Sequence, residues 1–264
     1  VLTAQVGTVS IGKGALQEAA GEGRTFSQTE LLSSITKHSV MVTRADKLPE
    51  AIRMALRVAQ RGRPGPVHLD LPADVLRGDV EDEIVPSDKF YPRARTRPLA
   101  EEIARAVEFL AAAQRPAILA GGGARWNGAP EKVLQLAERF SLPVATTLQG
   151  KGVIPEDHPL ALGCLGLYGT HAANRYMRSG VDVLLVIGSS LHEFTTHVWD
   201  PVLQPSTALI QIDVDPSEMG KNYAVDVALQ GDASIVVGEL LREGQCLDVQ
   251  NSRPMDHLAG LKRG

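Results

Sequence analysis

The chain has 264 residues, and at roughly 150 residues per domain that length suits two α/β units better than one barrel. Apolar residues at 44% and charged residues at 22% are those of an ordinary globular protein, so a sizeable core can form and global disorder is excluded. A net charge of −4 with 4% aromatics excludes a dominant basic nucleic-acid surface and stacking platforms for single strands. No nucleic-acid partner is expected. Cys164 and Cys246 are far apart and lack CxxC spacing, which predicts neither a disulfide framework nor a zinc site and suits a reducing, cytoplasmic location. Apolar runs such as 183–187 are far below the ~20 residues of a membrane span, so no membrane partner is expected either.

Val1-Leu2-Thr3-Ala4-Gln5-Val6 reads as a strand met part-way through a sheet, with an edge prone to pairing. Residues 1–76 are therefore expected to be the less stable part, or to associate with another chain. In 48–59, Leu48, Ile52, Ala55, Leu56 and Ala59 share one helical stripe, which predicts an amphipathic helix packed on a sheet. A Gly-Pro turn at 62–66 leads to a strand at 67–71. Residues 77–96 mix acidic residues, prolines and arginines as a linker does. Leu99, Ile103, Val107 and Leu110 then open a helix with Glu101 and Glu102 in its first turn. After it the sequence predicts strands at 117–120, 143–147, 182–187, 208–213 and 226–230, with helices at 130–140 and 171–178. Several of these strands are continuous apolar runs, as parallel strands buried on both faces are. The fold class is thus α/β: a doubly wound parallel sheet over 97–243, preceded by a partial α/β domain over 1–76 and followed by a linker over 244–264.

Ala117–Ala120 runs into Gly121, Gly122 and Gly123. Such glycines either let backbone N–H groups approach a pyrophosphate or simply make a tight turn. Other strand ends carry small or polar groups: Thr146, Ser189, Asp213 with Asp215, and Asp232. The carboxyl ends of strands are where open α/β sheets bind ligands. Asp213 or Asp215 could accept from a ribose or cap the turn into Pro216. His192 and His197 resemble a zinc-helix pair but stand about 140° apart on a helix and cannot converge on a metal. No metal residues are assigned. There is no GxSxG elbow, and Cys164 has only small and apolar neighbours.

Several segments in order resemble one family. They are Ser34-Ile35-Thr36-Lys37-His38, Gly62-Arg63-Pro64-Gly65-Pro66-Val67 with Asp70-Leu71-Pro72-Ala73-Asp74-Val75, and the glycine turn at 121–123. After these come Thr147-Leu148-Gln149-Gly150-Lys151-Gly152, Leu165-Gly166 with Gly169, and Gln211-Ile212-Asp213-Val214-Asp215-Pro216 with Gly220-Lys221-Asn222. Over about 1–243 the chain resembles thiamine-diphosphate-dependent enzymes of the acetolactate synthase type, which decarboxylate 2-oxoacids or join them to a second carbonyl.

The resemblance implies that 1–76 is the second half of a pyrimidine-binding domain and that 97–243 is a whole six-stranded central domain. It implies a parent enzyme, a transferase or lyase using thiamine diphosphate and Mg²⁺, assembled as a homodimer or homotetramer. The residues that mainly hold that cofactor are expected outside this stretch, so the piece is expected to be inactive alone. Gln17 and Lys37 match positions near the substrate channel, while Gly121, Gly122, Gly123, Thr146, Gly166, Ser189, Asp213 and Asp232 match positions lining a pocket that takes FAD or ADP in relatives. Two departures argue against FAD. Leu167-Tyr168-Gly169 stands for the usual Met-His-Gly, and Ser190 stands where an arginine would give the flavin pocket a fixed cation. A stand-alone NAD- or ADP-binding module, or a structural spacer with an empty pocket, are the alternatives.

Overall fold

Alternating strands and helices build two units, Val1–Ala94 and Arg95–Gly264, in a computed structural model whose described residues are 1–81, 86, 89 and 95–245. The boundary falls inside the stretch 77–96 read as linker. Cys246 and the rest of 246–264 lie outside the described residues.

The first unit contains β1 (Leu2–Gln5), α1 (Gln28–Ser33), β2 (Ser39–Met41), α2 (Leu48–Gln60), β3 (His68–Pro72) and α3 (Ala73–Arg77). Its three parallel strands run in the order β1-β3-β2. Central β3 is buried at all five residues, whereas β1, the predicted edge, pairs only with β3 among the described residues. Ser27 caps α1 by accepting from the Glu30 N–H at 3.1 Å. The predicted stripe of α2 is only half used. Ala55 is buried against Val42, Leu69, Leu71 and Val75, with Leu48 and Ala51 packed around them. Ile52 and Leu56 stay 40% and 43% exposed, because a three-stranded sheet is too narrow to cover a whole helical stripe.

The second unit runs α4 (Ala100–Ala112), β4 (Ala117–Ala120), α5 (Ala129–Phe140), β5 (Val144–Thr146), β6 (Ala161–Cys164), α6 (His171–Arg178), β7 (Val183–Ile187), α7 (Glu193–Thr196), β8 (Ala208–Asp213), β9 (Val227–Gln230) and α8 (Ala233–Gly244). Its six strands are all parallel, in the order β6-β5-β4-β7-β8-β9. Every residue of β7 and β8 is buried. Successive residues face opposite sides of a sheet, so both faces are covered. Helix α8 packs on α4 and α5, with Gly244 against the Phe140 ring. Strand order reverses between β4 and β7, which puts a crevice at the carboxyl ends of those two strands.

Candidate functional site

The predicted pocket residues form one row along the carboxyl edge of the six-stranded sheet. Thr146 ends β5, Asp213 ends β8, the glycine turn follows β4, and Gly166, Ser189 and Asp232 stand just past β6, β7 and β9. Backbone bonds carry the sheet ladder on into these turns. Leu165 N–H donates to the Thr146 carbonyl (2.8 Å), Thr147 N–H to Ala120 (2.9 Å), Gly188 N–H to Ile212 (2.8 Å) and Gly231 N–H to Asp213 (2.9 Å).

At the crevice itself the two turns touch backbone to backbone. Gly121 N–H donates to the Ile187 carbonyl at 2.8 Å and Gly123 N–H to Gly188 at 3.0 Å. A Cβ on Gly121 would stand 2.3 Å from the Gly188 oxygen, and one on Gly123 would stand 2.8 Å from the Gly188 Cα. These two glycines are thus required by packing within the protein. A dinucleotide cradle also needs a helix N-terminus at the turn. Here a single 3₁₀ turn, Gly122–Arg125, and the left-handed Gly128 (φ 74°) intervene before α5.

The acidic residues of the row are engaged locally. Asp213 accepts the Asp215 N–H at 3.0 Å, and Asp215 accepts the N–H and hydroxyl of Ser217 at 3.0 and 2.7 Å, closing the turn into Pro216–Glu218. Asp232 caps α8 by accepting from Ser234 N–H (3.0 Å) and Ile235 N–H (3.4 Å), and it also takes the Asn127 amide at 2.8 Å. Ser189 is buried, and its hydroxyl oxygen accepts the Leu191 N–H at 3.3 Å. Burial pushes the Cys164 thiol above its ordinary value, which keeps it protonated and non-nucleophilic at neutral pH.

One part of this edge has no signature in the sequence. The loops after β6 and β7 meet, although β5 and β4 lie between those strands. Gly166 exchanges two hydrogen bonds with the Asn174 amide (3.0 and 2.9 Å), Leu167 N–H donates to Phe194 O at 2.9 Å, and the Tyr168 and Phe194 rings lie 6.0 Å apart. Because Asn174 Oδ1 accepts from Gly166, the His197 Nε2 lying 2.9 Å from it carries a proton. This is the role of His197, the residue that mimics a zinc ligand in sequence. His197, Val198 and Trp199 are all left-handed, at φ 51°, 63° and 55°, a conformation uncommon for any side chain and rarest for a β-branched one. Nothing in the residue types announces it.

In the first unit, Gln17 is exposed and left-handed (φ 63°). Its neighbour Glu18 is buried, and the Glu18 carboxylate accepts backbone N–H groups from Gly12, Gly14 (3.1 Å) and Ala15 (3.1 Å), folding the loop that presents Gln17. Lys37 is also exposed, and its ammonium donates to the carbonyls of Arg61 and Arg63 (3.0 Å), which tethers the end of α2. Among the described residues no helix is long and apolar enough to cross a membrane.

Residues 103–240, just over half of the chain, match the family model described as "Thiamine pyrophosphate enzyme, central domain". The chain is 41% identical over 258 residues to a probable acetolactate synthase large subunit of Methanocaldococcus jannaschii, covering 95% of this chain and 42% of that protein. It is 35% identical over 266 residues to the acetolactate synthase large subunit of Corynebacterium glutamicum (99% and 41%), and 35% identical over 241 residues to the isozyme 1 large subunit of Escherichia coli (91% and 41%). The chain spans about two fifths of the length of these curated relatives.

Proposed function

Because the chain belongs to the thiamine pyrophosphate enzyme family, through the central domain that residues 103–240 match, we propose that it is part of an acetolactate-synthase-like enzyme, a transferase or lyase that decarboxylates a 2-oxoacid and joins the product to a second carbonyl. The observation that carries this reading is the likeness along nearly the whole chain, both units included, to proteins named acetolactate synthase.

Thiamine diphosphate, when bound, supplies the electron sink for such a decarboxylation. The described residues do not fit as its holder. They contain no group of three or more His, Cys, Asp or Glu able to take Mg²⁺, and the carboxylate of Gly231-Asp232 is occupied as the cap of α8. No step is therefore derived through the cofactor, and the contribution of this chain is positional. Gln17, on the loop folded by Glu18, and Lys37, tethered at the end of α2, face the 2-oxoacid channel at a subunit interface of a cytoplasmic homodimer or homotetramer. The second unit serves as a rigid central domain. The engaged N–H groups of Gly121 and Gly123 favour an edge that works without FAD or ADP, and they count equally against a stand-alone NAD module.

The test compares this chain alone with the enzyme extended to the length of its relatives, each supplied with thiamine diphosphate, Mg²⁺ and a 2-oxoacid. The extended enzyme is expected to release carbon dioxide and the 264-residue chain to release none; an inactive extended enzyme, or turnover by the chain alone, overturns the proposal. FAD, ADP and NAD are each expected to leave the melting temperature unchanged, whereas stabilisation by NAD alone would favour the module.

A further inference from the structure

Two titratable side chains that this function does not use are fully buried in the first unit. His68 and Asp70 are both 0% exposed on central strand β3, two residues apart and so on one face of the sheet. Polar groups from the neighbouring elements meet them there. Thr3 Oγ1 on β1 lies 2.7 Å from His68 Nε2 and 2.9 Å from Asp70 Oδ1. Ser39 Oγ on β2 lies 2.8 Å from His68 Nδ1 and 2.7 Å from the Thr29 carbonyl oxygen on α1. Gln28 and Gln5 point their amide nitrogens at Asp70, at 3.0 and 3.5 Å. The Gln5 orientation is set by its Oε1, which accepts the Val6 and Ala19 N–H groups at 2.9 and 3.1 Å.

The protons of this network can be counted, because each hydroxyl has one to give. The Thr29 carbonyl only accepts, so Ser39 donates to it and His68 Nδ1 must carry a hydrogen for Ser39. A carboxylate also only accepts, so Thr3 donates to Asp70 and Nε2 must carry a hydrogen for Thr3. Both ring nitrogens are then protonated. Passing the Nε2 proton to Thr3 while Thr3 passes its own to Asp70 gives a neutral imidazole and a carboxylic acid with no heavy atom moved and no net charge changed. In either form the pair holds one proton more than a neutral imidazole beside an ionised carboxylate.

We propose that His68, Thr3 and Asp70 form a buried proton-binding site, which keeps one proton between imidazole and carboxylate at neutral pH and thereby clasps β1, β2 and β3 to α1. Burial is the largest influence and, with the Val1 amine, pulls the His68 imidazole below its ordinary value against the opposing pull of Asp70; the count of hydrogens runs against that direction and is what carries the proposal. The groups that β2 and α1 bring to the network, Ser39, Thr29 and Gln28, carry no charge. Sharing the proton leaves the pair neutral overall, so burial penalises it less than it would an isolated imidazolium.

The site is independent of the proposed function and is tested on the 264-residue chain labelled with ¹⁵N-histidine. Ring-nitrogen spectra are expected to show Nδ1 of His68 protonated at pH 7, and Nε2 titrating with a midpoint above ~6.5, the ordinary histidine value. In Thr3→Val, which interrupts the relay, that midpoint is expected below ~6.5. A bare Nδ1 at pH 7, or an Nε2 midpoint at or below ~6.5 in the unaltered chain, overturns the proposal, and that reading stands even where the variant fails to fold. For the site as proposed, and opposite to the effect of burial alone, the folded unit keeps a proton that the unfolded chain releases near pH ~6.5, so this stability is present below that pH and is lost as pH rises through the folded midpoint. Slower amide exchange in β3 at pH 8 than at pH 6, after correction for the intrinsic rate, would equally overturn it.

Discussion

Adding one methyl group at Gly121 tests whether the glycine turn serves packing within the protein. Gly121 has φ −98°, so alanine meets no backbone strain and the effect is purely steric. Its Cβ would lie 2.3 Å from the Gly188 oxygen and 2.6 Å from the Ser189 Cβ, both fixed in the turn after β7. Reaching ordinary contact requires the β4 and β7 turns to part by about 1 Å, which stretches the Gly121–Ile187 and Gly123–Gly188 bonds. Overpacking costs about 1–3 kcal/mol and each weakened bond about 1 kcal/mol, so Gly121→Ala should destabilise the second unit by roughly 3–5 kcal/mol. At about 2–4 °C per kcal/mol for a unit of this size, the melting temperature should fall by roughly 6–20 °C. Gly122→Ala is the internal control. Its Cβ would meet only exposed Gln149, the Cβ at 3.3 Å and the carbonyl oxygen at 3.8 Å, and should cost less than about 1 kcal/mol. Both tryptophans, Trp126 and Trp199, lie in the second unit, so tryptophan fluorescence during urea or thermal unfolding reports that unit selectively. Equal shifts for the two variants would refute the reasoning.

Three further outcomes are expected. Asp232→Ala removes the α8 cap and the Asn127 bond and should lower the stability of the second unit by about 1–2 kcal/mol, read from the urea midpoint; Asp232→Asn should retain most of it, and an unchanged Ala variant would count against the cap. The Thr8 hydroxyl and N–H hold the Asp74 carboxyl below its ordinary value of 3.8. That contribution is present above this value and is lost as pH falls through the folded one, so Asp74→Asn should flatten the acid-side rise in amide exchange at Thr8. Burial raises the Cys164 thiol; the stability this lends is present below the ordinary thiol value and declines as pH rises through the folded one. Native Cys164 should therefore react with a thiol reagent far more slowly than after unfolding, and equal rates would contradict its burial.

How much of the fold is legible in the sequence depends on how each element is buried. Strands β7 and β8 are readable as Val183–Ile187 and Ala208–Asp213 because burial on both faces demands an unbroken apolar run. Strand β6 is not, because Gly163 sits in it at φ 87° and the register with β5 slips between Val144 and Ala145. A glycine bulge in a four-residue strand looks like a loop. Helix α8 hides for the opposite reason. It is squeezed between α4 and α5, so Val236 and Val237, adjacent in sequence and on different faces, are both fully buried and the helical period is blurred. In α2 the period is clear, yet Ile52 and Leu56 remain exposed, because amphipathicity says which side of a helix is apolar and not how wide the sheet beneath it is.

The candidate site divides along the same physical line. The positions of Thr146, Gly121, Ser189, Asp213 and Asp232 are legible because the end of a strand is a local property and parallel topology gathers all such ends on one edge. Their roles are not, because a glycine that lets a pyrophosphate approach and one that lets Gly188 approach make the same demand on sequence. What decides between them is the partner at the other end of the contact, Gly188, which lies 67 residues further along the chain than Gly121. The same holds for Gly166, whose absent Cβ makes room for the Phe194 carbonyl, and for Asn174 with His197. Residue type reports that a close approach occurs at a strand end, and only the fold reports what approaches. A family position such as Gly121 therefore carries its shape to a new member more securely than it carries its ligand.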